Sequence, residues 1–159
     1  MSPETRSAVM AKIRGKDTGP ERALAAALLD RGLSWENHST DLPGRPDFVF
    51  RQVRVAVFVD GDFWHGFRFH LWRDKLSESW EAKIEANRRR DRRNRLALRA
   101  AGWTVVRVWE HEIEHSRVRA SGKVARAIEA TGLEQMQPGH LASNLVARQV
   151  EPGSQARST

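Results

Sequence analysis

The sequence of 159 residues contains no cysteine and no tyrosine, and none of its apolar runs approaches the ~18 residues of a membrane-spanning helix. Without cysteine, disulfide bonds, thiolate catalysis and every cysteine-bound zinc site are excluded. The N-terminus also lacks the apolar stretch of a secretory signal. We therefore expect a cytoplasmic protein with no membrane partner.

Positive charge is in excess, because 27 lysines and arginines stand against 20 acids and give a net charge of +7. Such a balance favours a polyanionic partner, either a nucleic acid or an acidic membrane surface. The longest predicted helix is rich in arginine but has no sustained apolar face, which disfavours the membrane. Stacking against bases would fall to the six tryptophans and six phenylalanines.

Hydrophobic periodicity predicts a single α/β domain over residues 1–134, with a small central mixed sheet between helices. Helices are predicted at 2–15, 20–30, 79–101 and 118–130, and strands at 33–35, 47–50, 54–59 and 103–109. Residues 135–159 are rich in Gln, Ser, Pro and Gly, and we expect them to form a flexible tail.

The stretch 42–66 places three aspartates and a histidine around a predicted β-hairpin. If the turn centres on Gln52 and Val53, Asp47 lies opposite Phe58. Asp60 then follows two residues later on the same face. An isolated Asp beside a strand is ordinarily a turn residue. Two such acids on one face of a basic chain favour a functional site instead.

Asp47 and Asp60 have the spacing of a metal site, since diagonal neighbours of this kind lie about 7–8 Å apart between backbones. Carboxylate and carbonyl oxygens suit Mg²⁺, for which Mn²⁺ can substitute. A backbone carbonyl at Val59 would complete the site, and His65 has the intrinsic pKa to transfer a proton. Asp62 has three possible roles: an outer acid, a cap or a second metal ligand.

Two further patterns indicate contact with a polar ligand. Phe63 and Trp64 are flanked by glycines, which is unusual for core residues, although burial of Trp64 stays an alternative. The predicted helix 79–101 has a stripe with apolar ends and a middle of Asn87, Asp91 and Asn94, surrounded by arginines. Polar residues in such a stripe indicate a face directed at a polar cleft, with arginines gripping phosphates.

Specific motifs are spread from residue 5 to residue 114. The hairpin contains PGRPDF at 43–48 and VAVFVDGDFWHG at 55–66. The others are TRSxxMxxI at 5–13, Asp17-Thr18 with Glu21, Trp80 with Lys83-Ile84, Asn87, RDRR at 90–93, Gly102-Trp103 and Val108-Trp109-Glu110. In this order they resemble the very-short-patch-repair (Vsr) mismatch endonucleases, a branch of the PD-(D/E)xK-like nucleases. The resemblance implies a restriction-endonuclease-like core.

The resemblance also implies a Mg²⁺-dependent endonuclease that nicks one strand of duplex DNA beside a T·G mismatch, the product of 5-methylcytosine deamination. Carried over by position, Asp47 is similar to the metal-binding aspartate of the family, and Val59 to the residue that lends a backbone carbonyl. His65 matches an active-site histidine, and Glu21 an acid that orients His65 or a water. With Asp60, these residues form the predicted catalytic and metal-binding set.

The predicted DNA-binding residues come from the same comparison. Phe63, Trp64 and Trp80 match aromatics that wedge into the base stack, and Met10 matches a side chain inserted from the opposite groove. The remaining DNA contacts are predicted on the long helix, at Asn87, Arg90, Arg92 and Arg93.

Two departures from the family pattern matter. Well-studied members carry a structural zinc bound by cysteines and histidine, and we expect no such zinc here because the chain has no cysteine. A substitute site of Asp62, His70 and His111 is disfavoured by the lack of local spacing. Asp60 stands where a histidine often occurs, and whether it binds metal or takes over the histidine's role stays open.

The expected partner is double-stranded DNA with a mismatch, bound by a monomer, and repair-protein partners cannot be inferred from the sequence. Two alternatives stay open. One is a Vsr-like restriction or defence nuclease that acts on other distorted or modified DNA. The other is a non-catalytic DNA-binding module, which the intact Asp47, Asp60 and His65 disfavour.

Overall fold

The computed structural model describes residues 18–135. The predicted helix at 2–15, the predicted DNA contact of Met10 and the predicted tail beyond Gln135 lie outside the described residues. The elements are helix α1 (Gly19–Asp30), strands β1 (Glu36–Asn37), β2 (Phe48–Phe50) and β3 (Val55–Asp60), helix α2 (Glu78–Ala100), strand β4 (Thr104–Trp109), and helices α3 (Glu110–His115) and α4 (Arg117–Gln135).

The four strands form one mixed sheet in the order β1-β2-β3-β4. The pairs β1–β2 and β2–β3 are antiparallel, whereas β3 and β4 run parallel. The connection between the parallel strands contains α2, as a crossover between parallel strands requires. The predicted fold class, a small central mixed sheet flanked by helices, is confirmed.

The hairpin β2–β3 has the register that the sequence predicts. Phe48 lies opposite Val57 and Phe50 opposite Val55, which centres the turn on Gln52 and Val53. The turn is a single 3₁₀ turn followed by Arg54 in the left-handed conformation. A slip of one residue would have moved every side chain of β3 to the other face.

One face of the sheet carries the main hydrophobic core. Val55 and Val57 of β3 pack there with Val106 and Val108 of β4, and α1 and α4 cover them. The fully buried contributions from the helices are Leu24, Leu28 and Val124. Each such side chain stabilises the fold by about 1.5–3 kcal/mol relative to an exposed position. This face is closed to solvent.

The opposite face is polar at the carboxyl ends of the parallel strands. Side chains alternate along β3 and β4, so Phe58 and Asp60 share this face with their pairing partners Arg107 and Trp109. Helix α2 contacts β4. The end of the sheet therefore presents charged groups beneath a helix.

Helix α2 confirms the prediction for 79–101 to within one residue. Ile84 and Leu98, near its two ends, are fully buried. Helix α4 continues to Gln135, beyond the predicted end at 130, and the Thr131 hydroxyl donates to the carbonyls of Ala127 and Ile128 within it. No helix among residues 18–135 is long and apolar enough to cross a bilayer.

Candidate active site

Asp47 is presented by a loop with an unusual backbone. Gly44 has a φ of +77°, and a Cβ at this position would lie 3.0 Å from the Asn94 side chain, so only glycine fits. After the buried Pro46, the Asp47 N–H donates to the Val57 carbonyl over 2.9 Å. The loop thus places the Asp47 carboxyl at the start of strand β2, and its Gly44 packs against Asn94 of helix α2.

Asp47 contacts the main chain of Val59. The Val59 N–H donates to Asp47 Oδ2 over 2.7 Å. This bond sets one carboxylate oxygen against β3 and leaves the other for a different partner. The sequence predicted that the carbonyl of Val59 would share a metal ion with Asp47. The bond seen here comes from the Val59 N–H, and the role of the carbonyl stays a prediction.

Asp47, His38 and Glu21 form a compact group, which we call the acid–histidine cluster. His38 Nδ1 lies 3.7 Å from Asp47 Oδ1, and His38 Nε2 lies 3.6 Å from Glu21 Oε2. One donor atom from each residue lies within 4.8 Å of the other two, and no other such group is found among residues 18–135. Glu21 and Asp47 were predicted from the sequence, whereas His38, which follows the short strand β1, was not.

Glu21 reaches the cluster from the first turn of α1. Thr18 is the N-cap, as predicted, and its hydroxyl accepts from the Glu21 N–H and lies 3.3 Å from Glu21 Oε1. Glu21 is only 9% exposed. A side chain that ordinarily caps a helix in water is thus directed into the protein, toward His38.

The electrostatics of the acid–histidine cluster favour a cation. Burial raises the pKa of Asp47 to about 7, the hydrogen bond from Val59 opposes the rise, and the charges of Glu21 and Asp60 add to it. A carboxyl that resists ionisation beside other acids is stabilised by a bound positive charge. Two carboxylates and an imidazole beside a strand backbone fit a divalent metal ion.

Asp60 was predicted to hold the metal with Asp47, and the structure pairs its carboxylate with Arg107. Asp60 is 5% exposed, and Arg107 Nε donates to its Oδ2. The Arg107 guanidinium also lies over the Trp109 ring, 4.2 Å from the centroid. Asp60 thus lies next to the metal-binding candidates in sequence, but its charge is already matched.

His65 contacts Asp91 rather than Glu21. His65 Nδ1 lies 2.6 Å from Asp91 Oδ2 and 3.6 Å from Asp60 Oδ1. Burial by itself would lower the pKa of His65, but the bond to Asp91 and the charge of Asp60 outweigh it and raise the pKa above its usual value. We call Asp60, Arg107, His65 and Asp91 the ion-pair network.

Asp91 is a functional candidate that the predicted catalytic set lacked, although its signal was visible in the polar stripe of the helix. Burial would raise the pKa of Asp91, but its hydrogen bond to His65 lowers it below the usual value. One turn earlier, Asn87 Nδ2 donates to the Trp64 carbonyl over 3.2 Å. The stripe of α2 therefore faces the site loop, as predicted.

The predicted wedge residues lie in a second hydrophobic cluster. Trp64 is 8% exposed and packs with Phe69 and Ile84. Phe63 and Trp80 are half-buried, and Phe63 stacks on Trp72 at 5.5 Å with an interplanar angle of 20°. Burial, the alternative left open for Trp64, is what the structure shows, because its indole packs between the loop and α2. The role of these rings as a DNA wedge stays a prediction.

The loop after Gly61 is held without cysteine. Asp62 Oδ1 lies 2.8 Å from His111 Nδ1. Next to this pair, the Phe67 ring lies 4.3 Å from the His111 ring and 5.0 Å from the Trp109 ring, measured between centroids. Asp62 therefore anchors the loop to the start of α3, and His70 is exposed elsewhere.

The arginines of α2 divide into two groups. Arg90, Arg92 and Arg93 are exposed, as binding to phosphates would require. Arg95 is half-buried, and burial together with the nearby charge of Arg107 lowers its pKa. Arg90, Arg92 and Arg93 therefore offer positive charge at the surface of the helix that also carries Asn87 and Asp91.

Comparison with known proteins agrees with these features. The family model described as "DNA mismatch endonuclease Vsr" matches residues 1–71. The chain is 44% identical to the type II nicking enzyme V.XorIIP of Xanthomonas oryzae pv. oryzae over 115 residues, 71% of this chain and 85% of that protein.

Two more relatives extend the match. The type II nicking enzyme V.NmeDIP of Neisseria meningitidis serogroup C is 38% identical over 141 residues, 86% of this chain and 95% of that protein. The DNA mismatch endonuclease Vsr of Escherichia coli is 41% identical over 108 residues, 67% of this chain and 69% of that protein. The aligned lengths exceed a single motif and span most of each protein.

Proposed function

Because the chain belongs to the Vsr family of DNA mismatch endonucleases, we propose that it nicks one strand of duplex DNA beside a T·G mismatch in a reaction that needs Mg²⁺, or Mn²⁺ in its place. The observation that carries the proposal is the meeting of two charged groups at the end of β3. There the acid–histidine cluster contacts Val59, and the ion-pair network begins at Asp60.

Asp47 is the residue that would hold the cation, with the backbone of Val59 beside it and Glu21 and His38 at the same opening. A divalent ion supplies charge stabilisation for a phosphodiester and lowers the pKa of a water. The raised pKa of Asp47 supports this role, since the carboxylate form becomes favourable once a positive charge is near.

His65 is the proton-transfer residue of the proposal. Asp91 holds the ring by its Nδ1 and leaves Nε2 for the substrate. Although burial opposes it, the hydrogen bond to Asp91 and the charge of Asp60 raise the pKa of His65, and this favours the protonated imidazole that a proton donor to a leaving oxygen needs. Asp60 Oδ1 also lies 3.6 Å from His65 Nδ1, and Arg107 pairs with Asp60 beside the ring.

Recognition of the mismatch is assigned to the aromatic cluster. Phe63 and Trp80 offer half-buried rings at the surface, and Trp64 supports them from below. Opening a base step for an apolar wedge costs a few kcal/mol, and a mispaired step costs less. The exposed arginines of α2 would bind the backbone without regard to sequence. A nuclease that acts on chromosomal DNA would work in the bacterial cytoplasm, and this location is part of the proposal.

The test is a nicking assay on end-labelled duplexes that differ only in one T·G or T·A pair, with Mg²⁺ or with EDTA. We expect one strand of the T·G duplex to be cut in Mg²⁺ only. Equal inactivity on both duplexes in Mg²⁺ and in Mn²⁺ would refute the proposal.

A second candidate function is the same nuclease activity on a different DNA substrate. Relatives are named type II nicking enzymes, and we infer that a restriction or defence role on other distorted or modified DNA is the main rival. Comparable cutting of the fully paired duplex would favour this rival over mismatch repair.

A further inference from the structure

We propose that His38 is a nitrogen ligand of the cation held at Asp47, and that the site therefore binds Mn²⁺ in preference to Mg²⁺. The inference rests on the proposed metal-binding role of Asp47 and adds to it the identity of a ligand and the choice of ion. His38 belongs to none of the sequence motifs by which the family was recognised, so only the structure brings it to the site.

The backbone of His38 is held in a conformation that few side chains adopt. Its φ is +46°, in the left-handed region, directly after the two-residue strand β1. The His38 N–H donates to the Asp47 carbonyl over 3.2 Å. Strain of this kind costs on the order of 1–3 kcal/mol in a non-glycine residue and persists where the fold holds a side chain for a purpose.

The distances suit a shared cation better than direct hydrogen bonds. His38 Nδ1 lies 3.7 Å from Asp47 Oδ1, beyond the 2.7–3.2 Å of a hydrogen bond. Ligands bound at about 2.1 Å to one octahedral ion stand about 3 Å apart when adjacent and about 4.2 Å when opposite. The observed 3.7 Å is about 0.7 Å longer than the adjacent spacing, so a small movement of the two side chains would let both atoms bind one ion.

Glu21 lies beside the second ring nitrogen. Its Oε2 lies 3.6 Å from His38 Nε2, on the side of the ring away from Asp47. A cation bound between Asp47 and Nδ1 would place the ring proton on Nε2, toward Glu21. A histidine that binds metal through one nitrogen and faces a carboxylate with the other is a common arrangement in metalloproteins. Glu21 is then a positioning residue for His38.

The presence of nitrogen changes which ion is preferred. Mg²⁺ takes oxygen ligands and gives up water reluctantly, so an imidazole contributes little to its binding. First-row transition metals accept imidazole together with carboxylates. A set of Asp47, His38 and a strand backbone is therefore better matched to Mn²⁺ than a set of oxygens alone would be.

The test is pulsed electron paramagnetic resonance of Mn²⁺ added to the full-length, metal-free protein. A directly bound imidazole nitrogen modulates the Mn²⁺ spin echo, and the modulation changes its frequencies when histidine is labelled with ¹⁵N. We expect this change in the wild type and in His115→Gln, whose residue is exposed. We expect it to be absent in His38→Gln and retained in His65→Gln.

Calorimetry of Mn²⁺ and Mg²⁺ binding gives a second measure. In His38→Gln the affinity for Mn²⁺ should fall about tenfold or more, with a much smaller change for Mg²⁺. Tight, Asp47-dependent Mn²⁺ binding without nitrogen modulation would overturn the role of His38 and leave the proposed function intact. No binding of either ion to the wild type would overturn both. If His38→Gln fails to fold, the labelled wild type still decides whether a nitrogen is bound.

Discussion

The acid–histidine cluster and the ion-pair network lie side by side at the end of β3. They differ in whether their acids are paired with an arginine. The first contains the carboxyls of Glu21 and Asp47 with one imidazole between them. The second contains the carboxyls of Asp60 and Asp91, but it also contains the Arg107 guanidinium and the His65 ring. Both have two acids, and only the second includes an arginine.

The difference appears in the pKa values of the acids. Burial raises the pKa of Asp47 to about 7. Asp91 also loses solvent, yet its hydrogen bond to His65 brings its pKa below the usual value. A cluster with excess acid is stabilised by a proton or by a cation from solution, whereas a balanced network can position groups without either. This contrast supports the proposed division of metal binding and proton transfer between the two groups.

The largest expected effect comes from breaking the first cluster. Asp47→Asn should lower nicking by about 10³-fold or more, because the ion that stabilises the developing charge loses its central ligand. Binding of the mismatched duplex, measured by gel shift, should stay within a few-fold of wild type. Asp41→Asn is the matched control, since Asp41 is exposed and bound to Arg51. Full activity of Asp47→Asn would contradict the assignment.

The next effect tests the second cluster. His65→Ala should lower the nicking rate by about 10²–10⁴-fold while Mn²⁺ affinity is retained, because His65 transfers a proton and does not hold the ion. Asp91→Asn should cause a smaller loss and should shift the pH profile of the rate to lower pH, since the raised pKa of His65 depends on Asp91. Loss of Mn²⁺ binding in His65→Ala would break the division between the clusters.

Without metal, removing one acid from each group should change the stability of the protein in opposite directions. Asp60→Asn should destabilise the fold by about 1–3 kcal/mol in urea, because it leaves Arg107 without its anionic partner. Asp47→Asn should stabilise it at pH 8, because it removes a carboxylate that burial disfavours. A loss of stability in both variants would show that Asp47 is charge-matched within the protein.

The stabilities of the wild type and of Asp47→Asn should depend on pH in different ways. The pKa of Asp47 rises from 3.8 to about 7 on folding, so the folded state binds this proton more tightly. Wild-type stability without metal should therefore fall, relative to Asp47→Asn, as pH rises from about 4 to about 7. Saturating Mn²⁺ should remove the deficit at pH 8. A constant difference across this range would count against the raised pKa.

The smallest effect concerns a residue outside both clusters. Arg92→Ala should weaken binding to matched and mismatched duplexes equally and reduce the slope of log affinity against log salt by about one.

Trp80→Ala should instead lower the ratio of the affinity for the T·G duplex to the affinity for the T·A duplex. Trp64→Ala is unsuitable for this test, because removal of a buried tryptophan costs about 3–5 kcal/mol of stability. A selective effect of Arg92→Ala on the mismatch would assign it to recognition.

Sequence reasoning reached most of the strands and the long helix because their signals are local. Valine-rich runs predicted β3 and β4, and turn residues predicted the register that brings Phe48 opposite Val57. The polar stripe of α2 predicted a face toward the site, and Asn87 and Asp91 confirm it. For Trp64 the sequence left burial and exposure both open, because flanking glycines say nothing about what packs above a ring.

The sequence by itself determined the fold class, the family and the candidates Asp47, Asp60 and His65, because periodicity and motif order depend only on neighbours along the chain. Only the tertiary structure decided which charged side chains form ion pairs with each other. It paired Asp60 with Arg107 across two parallel strands, Asp91 with His65 across 26 positions, and His38 with Glu21 and Asp47. Buried charges are sensitive to distances of a few ångströms, and such distances exist only after the chain has folded.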